Sequence, residues 1–267
     1  MNTKPWDYWT TDKRPNQRIG QAVQLVETVL ARSPKHPQAA HLYIHLMENG
    51  PDPKLAEGAA DRLNPILALW VPFVLGQRTR AVVNMDWTDF EADDHTTLMI
   101  SLVTGHGRST PLVWMTVQKS VLKGMRNEVE DAVLGRLREV LPSGVKVTVL
   151  ADRGFGDQNL YALLTQLGFD YVVRFRQGIA VTSAEGERRK AADWVPEAGR
   201  ARKLSQARVT AQLSPVGAVV CVKKKGMKEP WCLATSHEDL SAAQVIRLYS
   251  RRFTIEEGFR DVKDMRF

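Results

Sequence analysis

Tyr249, Arg252, Glu256 and Lys263 stand at offsets of 0, 3, 7 and 14 in a stretch, Ser241 to Phe267, that holds no proline and one glycine, Gly258. At roughly 100° per residue they fall within an arc of about 60°, so on a continuous helix they share one face. An aromatic ring, two cations and a carboxylate in one stripe can form a solvated, salt-bridged helix surface. They can also bring an acid and positive charge to a reacting anion. Ser241-Ala-Ala suits a helix start, and Leu240 ahead of it can act as a hydrophobic staple. The stretch therefore predicts one helix closing the chain.

Two further carboxylates sit where strands should end. Asp86 closes the run AVVNMD and Asp152 closes VTVLAD. Apolar, β-rich runs predict strands over 80–87, 96–103, 112–117, 145–151 and 171–175, with amphipathic helices over 127–140 and 157–167. A short apolar run over 65–75, interrupted by Pro72, reads as a buried helix or a connector. The order β-β-β-α-β-α-β, closed by the helix from Ser241, is the ribonuclease-H-like α/β pattern, a mixed sheet with helices on both faces. Residues at the carboxyl ends of such strands open into the ligand crevice. One aspartate after a strand is ordinarily a turn or cap residue. Two of them plus Glu256 on the closing helix would repel one another unless cations held them. Hard oxygen ligands of this kind suit Mg²⁺ or Mn²⁺. Two such ions activate a water or a 3′-hydroxyl and stabilise the leaving oxygen in phosphodiester cleavage. Glu257, the neighbouring acid, points about 100° away on the helix. Asp89, Asp93 and Asp94 read as a surface turn.

The chain carries a net charge of +7 and has a pI near 9.5, which leans toward an anionic partner. Between 177 and 238 eleven Lys and Arg face six acids, so this β-rich insertion carries most of the excess. It is expected to hold strands over 207–213, 217–222 and 231–234. Its basic run Lys223, Lys224 and Lys225 is expected to meet nucleic-acid phosphate. No apolar run approaches membrane-spanning length and the first residues show no apolar signal core, so the expectation is a cytoplasmic protein without a membrane partner. Cys221 and Cys232 lie in apolar runs without metal-ligand spacing and predict buried thiols with no disulfide.

The first 63 residues have another texture. Helices over 16–32, 38–48 and 53–63 are punctuated by Ser33-Pro34, His36-Pro37 and Asn49-Gly50-Pro51, and the stretch resembles a tetratricopeptide-type repeat protein over about one and a half repeats. His41 and His45 are spaced i, i+4, but no third metal ligand accompanies them and His36, so they read as helix surface.

Residues from about 66 to 267 resemble an insertion-sequence transposase of the DDE class, in the group with the signature Y-x2-R-x3-E-x6-K. The residues that carry the resemblance are Tyr249, Arg252, Glu256 and Lys263, with the first aspartate in NMDWTDF and the second in ADRGFGDQNLYALL. The resemblance implies that Asp86, Asp152 and Glu256 form a metal-binding catalytic triad. It implies that Tyr249, Arg252 and Lys263 contact transposon-end DNA. Trp231, in EPWCLATS, resembles the tryptophan that relatives stack on a flipped base, and it reads equally as a core aromatic. Arg153, Arg174 and Arg176 lie near the crevice and can meet phosphate, while Arg174 can equally pair with a triad carboxylate. The implied partners are double-stranded DNA, as element ends and target, and a second copy in a synaptic dimer. The implied location is the bacterial cytoplasm, associated with the nucleoid. The expected organisation is a helical segment over 1–63, a core over 64–176, an insertion over 177–238 and a closing helix over 239–267. Relatives continue past the signature helix, whereas Phe267 follows Lys263 by four residues. A truncated transposase fused to a repeat-protein piece is therefore expected, with an inactive DNA-binding remnant or a helical interaction module as alternatives.

Overall fold

The computed structural model describes residues 66–90, 94–197 and 199–264. The repeat-like reading of 1–63, with its histidines, lies outside them, and so does the Lys263 side chain. Twelve strands follow in chain order: β1 (Arg80–Phe90), β2 (His95–Val103), β3 (Ser109–Gln118), β4 (Lys146–Ala151), β5 (Asp170–Arg174), β6 (Ala180–Thr182), β7 (Arg188–Lys190), β8 (Arg202–Ser205), β9 (Arg208–Val209), β10 (Ser214–Pro215), β11 (Ala218–Val222) and β12 (Trp231–Thr235). Residues 66–75 are helical (α1). The other helices are α2 (Lys119–Leu122), α3 (Arg126–Val140), α4 (Gln158–Gln166), α5 (Ala242–Ser250) and α6 (Thr254–Asp264).

Eight strands form one sheet in the order β3-β2-β1-β4-β5-β12-β11-β8, and four make a smaller one in the order β10-β9-β6-β7. β1 pairs with β4 in parallel, and so does β4 with β5; β12 then returns antiparallel to β5. Three strands from the segment read as an insertion thus extend the main sheet. The run read as a strand over 207–213 is cut short after Val209. Thr210 and Leu213 take left-handed backbone angles of φ 70° and 56°, which a strand cannot continue through.

The described residues fall into two compact units. One holds those up to Gln77, with Trp87–Met99 and Pro111–Ser143; the other holds Arg78–Asp86, Ile100–Thr110 and the chain from Gly144 on. In the first, Trp70 of α1 donates from Nε1 to the Pro111 carbonyl at 2.9 Å. Trp87 donates to Glu130 of α3 at 2.8 Å, and the Arg126 guanidinium lies over the Trp87 ring. Burial raises the Glu130 pKa against the pull of those two donors.

The second unit has a continuous apolar centre. Leu150, Val172, Leu233, Val220 and Val103, one from each of five strands, pack with Val245 and Tyr249 of α5. Val245 and Tyr249 are spaced i, i+4, so one helical stripe covers that sheet face. The start of α5 is a capping box: the Ser241 hydroxyl accepts from the Gln244 amide at 3.3 Å, and Gln244 Oε1 accepts from the Ser241 amide at 2.8 Å. Leu240 packs against the same centre.

Just ahead of β11 the chain passes the β12–α5 turn so closely that a Cβ on Gly217 would run into the Ser236 carbonyl. Gly217→Ala is therefore expected to lower thermal stability by about 1–3 kcal/mol through forced backbone shifts, read as a drop in melting temperature. An unchanged melt would mean that this turn yields freely.

Candidate active site at the ends of the parallel strands

The register Met85↔Ala151 makes Asp86 and Asp152 the next residues after the last parallel pair. β4 stops there, whereas β1 runs on to Phe90, so Asp86, expected to end its strand, lies within it where the β1–β4 ladder ends. Asp152 caps a 3-10 turn, Arg153–Phe155, by accepting from the Gly154 amide at 2.7 Å. Its carboxylate is thereby fixed at the strand end.

The closing segment is not one helix. α5 stops at Ser250, a 3-10 turn covers Arg251–Phe253, and α6 starts at Thr254. No proline or glycine causes the break. The hydroxyls of Ser250 and Thr254 instead bond back to the Arg247 and Arg251 carbonyls at 2.7 and 3.0 Å, which competes with regular helix bonding. Asn84, fully buried on β1, donates from Nδ2 to the Thr254 hydroxyl at 2.9 Å. Asn84 and Asp86 lie two residues apart and so share a strand face. That face grips the junction at two points, through Thr254 and through Arg252.

Arg252 is the centre of the arrangement. Its Nη1 donates to Asp86 Oδ2 at 3.0 Å and its Nη2 to Glu256 Oε1 at 2.5 Å. The guanidinium is buried, with its Nε lacking a hydrogen-bond partner among the described residues. Burial by itself works against its charge, but Tyr249, Asp86 and Glu256 more than offset that and the Arg252 pKa is raised. Tyr249 is pushed up to about 12 by burial, with Asp152 adding to the rise, against the downward pull of Arg252 and Arg174. Tyr249, Arg252, Glu256, Asp86 and Asp152 are thus one electrostatic neighbourhood. Trp231 meets the Tyr249 ring edge-on at 5.0 Å and tilts against Phe253 at 6.1 Å. It is half-buried against the apolar centre, beside the exposed Phe253.

Arg153 and Arg174 pair with an acid outside the expected triad. Both donate to Glu229 Oε2, at 2.8 and 2.7 Å. Lys223, Lys224 and Lys225 are exposed on the same β11–β12 loop as Glu229. Glu257 pairs with Arg260 at 2.9 Å and Arg108 at 3.9 Å, away from the Arg252 bridge. Asn84, Thr254 and Glu229 were not singled out from sequence. Asn84 left a signal, as a polar residue inside an apolar strand; Thr254 and Glu229 left none, because their partners are distant in the chain.

The donors just past the last β1–β4 pair are carboxylate oxygens, which fits a hard divalent ion held by Asp86 and Asp152. Glu256 meets Asp86 through Arg252, and among the described residues no three His, Cys, Asp or Glu side chains gather into one metal-binding group. Cys221 and Cys232 are register partners on β11 and β12, both buried free thiols.

A sheet opening β3-β2-β1-β4-β5, with parallel pairing at β1-β4-β5 and acids just past the last β1–β4 pair, defines a ribonuclease-H-like core. The model of the transposase DDE domain matches residues 80–267. The chain belongs to that family, whose members generally work with divalent metal ions. No curated protein sequence matches it. Among solved structures it is similar to Marinitoga piezophila Argonaute in complex with 5′ OH guide RNA, at 11% identity and a TM-score of 0.27, covering 79% of this chain and 31% of that one. The same Argonaute with guide RNA and target DNA gives 12%, 0.25, 73% and 30%. The chain thus spans about a third of those Argonaute chains, and a likeness of that size says nothing about activity. No helix among the described residues is long and apolar enough to cross a membrane.

Proposed function

We propose that this chain is a DNA transposase of the group with the Y-x2-R-x3-E-x6-K signature, cutting and joining DNA strands at the ends of an insertion element. The observation that carries the reading is the convergence of Asp86, Glu256 and Tyr249 on Arg252, next to Asp152 at the neighbouring strand end. Asp86, Asp152 and Glu256 are the residues that would hold Mg²⁺ or Mn²⁺. When bound, the metal supplies Lewis-acid stabilisation of the leaving oxygen and a nucleophilic water or 3′-hydroxyl at neutral pH.

The chain's own residues do the rest. Asp152, fixed by the Gly154 amide, keeps an acceptor aimed at the sheet edge. Arg252 bridges Asp86 and Glu256, and offers a buried positive charge to a phosphate that enters. Tyr249, kept neutral by burial, presents a hydroxyl that can donate to a phosphate oxygen. Trp231 and Phe253 give a ring surface on which a base can stack, and the exposed Lys223, Lys224 and Lys225 give a basic track along DNA. A second copy and the target duplex complete the assembly, and the working place is the bacterial cytoplasm.

Nicking of supercoiled DNA carrying the element ends tests this. Cleavage is expected with Mn²⁺ or Mg²⁺ and is expected to vanish with excess EDTA. Salt-sensitive DNA binding without cleavage under any divalent ion would replace the reading by one of a DNA-binding protein that no longer cuts.

A further inference from the structure

Glu229 is the single acid in the loop of residues 223–230, among Lys223, Lys224, Lys225 and Lys228. It does not pair with any of these lysines in the contacts the structure gives. Both Arg153 Nη1 and Arg174 Nη2 donate to one of its oxygens, Oε2, at 2.8 and 2.7 Å, and Arg174 also reaches the Pro230 carbonyl at 3.4 Å. The two arginines come from different places: Arg153 follows the strand-end Asp152, and Arg174 ends β5, the next strand in the sheet. Arg174 is tied to β12 by its register with Leu233, so its backbone is held by the sheet. Glu229 sits instead on a loop, half-exposed, with its carboxyl held below the usual range chiefly by the Arg153 hydrogen bond. Two guanidinium groups converging on a single oxyanion is the geometry with which arginines grasp a phosphate. Here the oxyanion is the protein's own.

We propose that Arg153 and Arg174 form a cradle for one DNA backbone phosphodiester and that Glu229 occupies it until DNA displaces it. The inference rests on the transposase reading and deepens it. The phosphate would enter beside Asp152, whose charge and that of Arg174 both act on Tyr249, so the cradle adjoins the acids that surround the reacting bond. The loop carrying Glu229 also carries the exposed lysines, so the segment that first meets DNA is the one that must move to open the cradle. Wild-type binding then exchanges a carboxylate for a phosphate at no net gain of ion pairs. Without the carboxylate, the same phosphate adds a contact.

The test is fluorescence anisotropy of a short labelled duplex in EDTA, with the full chain, across 50–200 mM KCl. Glu229→Gln is expected to bind roughly three- to ten-fold tighter than wild type at the low-salt end, with a slope of log affinity against log salt steeper by about 0.9. Glu238→Gln removes an exposed acid that makes no contact with either arginine, and it is expected to leave affinity within about two-fold. Arg174→Gln in the Glu229→Gln background is expected to abolish the gain. Unchanged or weaker binding by Glu229→Gln, or an equal gain from Glu238→Gln, overturns the cradle while wild-type DNA binding keeps the transposase reading. Absence of salt-dependent binding by every variant overturns both.

Discussion

Asp152→Asn is expected to keep the fold and to lower divalent-dependent strand cleavage on the order of 10³-fold or more, since even a group that only orients a metal ligand costs about 10- to 100-fold. The substitution separates two roles of one side chain. The acceptor that fixes the turn after β4 is a carboxylate oxygen taking the Gly154 amide at 2.7 Å, and an asparagine oxygen can take the same proton. What asparagine cannot supply is the negative charge at the strand end beside Asp86. Asp152→Ala removes both, and the lost cap is expected to cost about 1 kcal/mol, or roughly 2–4 °C in melting temperature. A pair of readouts follows: melting unchanged in Asp152→Asn and lowered in Asp152→Ala, with cleavage lost in both. Near wild-type cleavage by Asp152→Asn would remove Asp152 from the chemistry and leave it as a turn residue.

The end of β4 before Asp152 was legible because a strand end announces itself locally, whereas β1, expected to end near Asp86, runs on to Phe90. Asp86 and Asp152 each close an apolar run, and a buried parallel strand has to read that way. The strands built from such runs, β1 to β5, lie within a few residues of their expected bounds, and the helices α3 and α4 start where Arg126 and the capping Asp157 place them. The closing helix was less legible. Its face pattern assumes one period of 3.6 residues, and the 3-10 turn at Arg251–Phe253 departs from it. Nothing in the local sequence but two hydroxyls, Ser250 and Thr254, marks the break, and Thr254 is also the partner of Asn84, far away in the chain. Charge partners were the hardest to read. Arg153 and Arg174 looked open to phosphate, yet their carboxylate comes from a loop 76 and 55 residues away. Sheet order has the same character: strands β8, β11 and β12 extend the main sheet through pairing that no local period encodes.

Arg252→Met is expected to destabilise the protein by roughly 3 kcal/mol, a fall of about 5–10 °C, and Mn²⁺ is expected to restore part of that loss. Arg252 is 7% exposed and its partner Asp86 17%, so removing the guanidinium takes a positive charge from a mostly desolvated carboxylate. Breaking a buried pair in this way costs about 3–5 kcal/mol; Glu256, at 48% exposure, is screened by solvent and contributes little, which argues for the lower end. Arg252→Lys keeps a charge but not the planar fork that spans two carboxylates, and is expected to fall between Met and wild type. The metal response distinguishes this from ordinary core damage. In the wild type the cationic role at Asp86 is already filled, so added Mn²⁺ competes with a guanidinium. In Arg252→Met that competitor is gone, and a divalent ion meets carboxylates that need a positive charge. Ligand binding to the folded state alone stabilises by about 2.7 kcal/mol at a hundred-fold excess over the dissociation constant. Melting curves with millimolar Mn²⁺ are therefore expected to shift upward more in Arg252→Met than in wild type, with Asp86→Asn in the same background erasing the difference. Equal shifts in both proteins would mean that Arg252 and the metal do not share Asp86. In that case the guanidinium would be only a structural clamp on the α5–α6 junction.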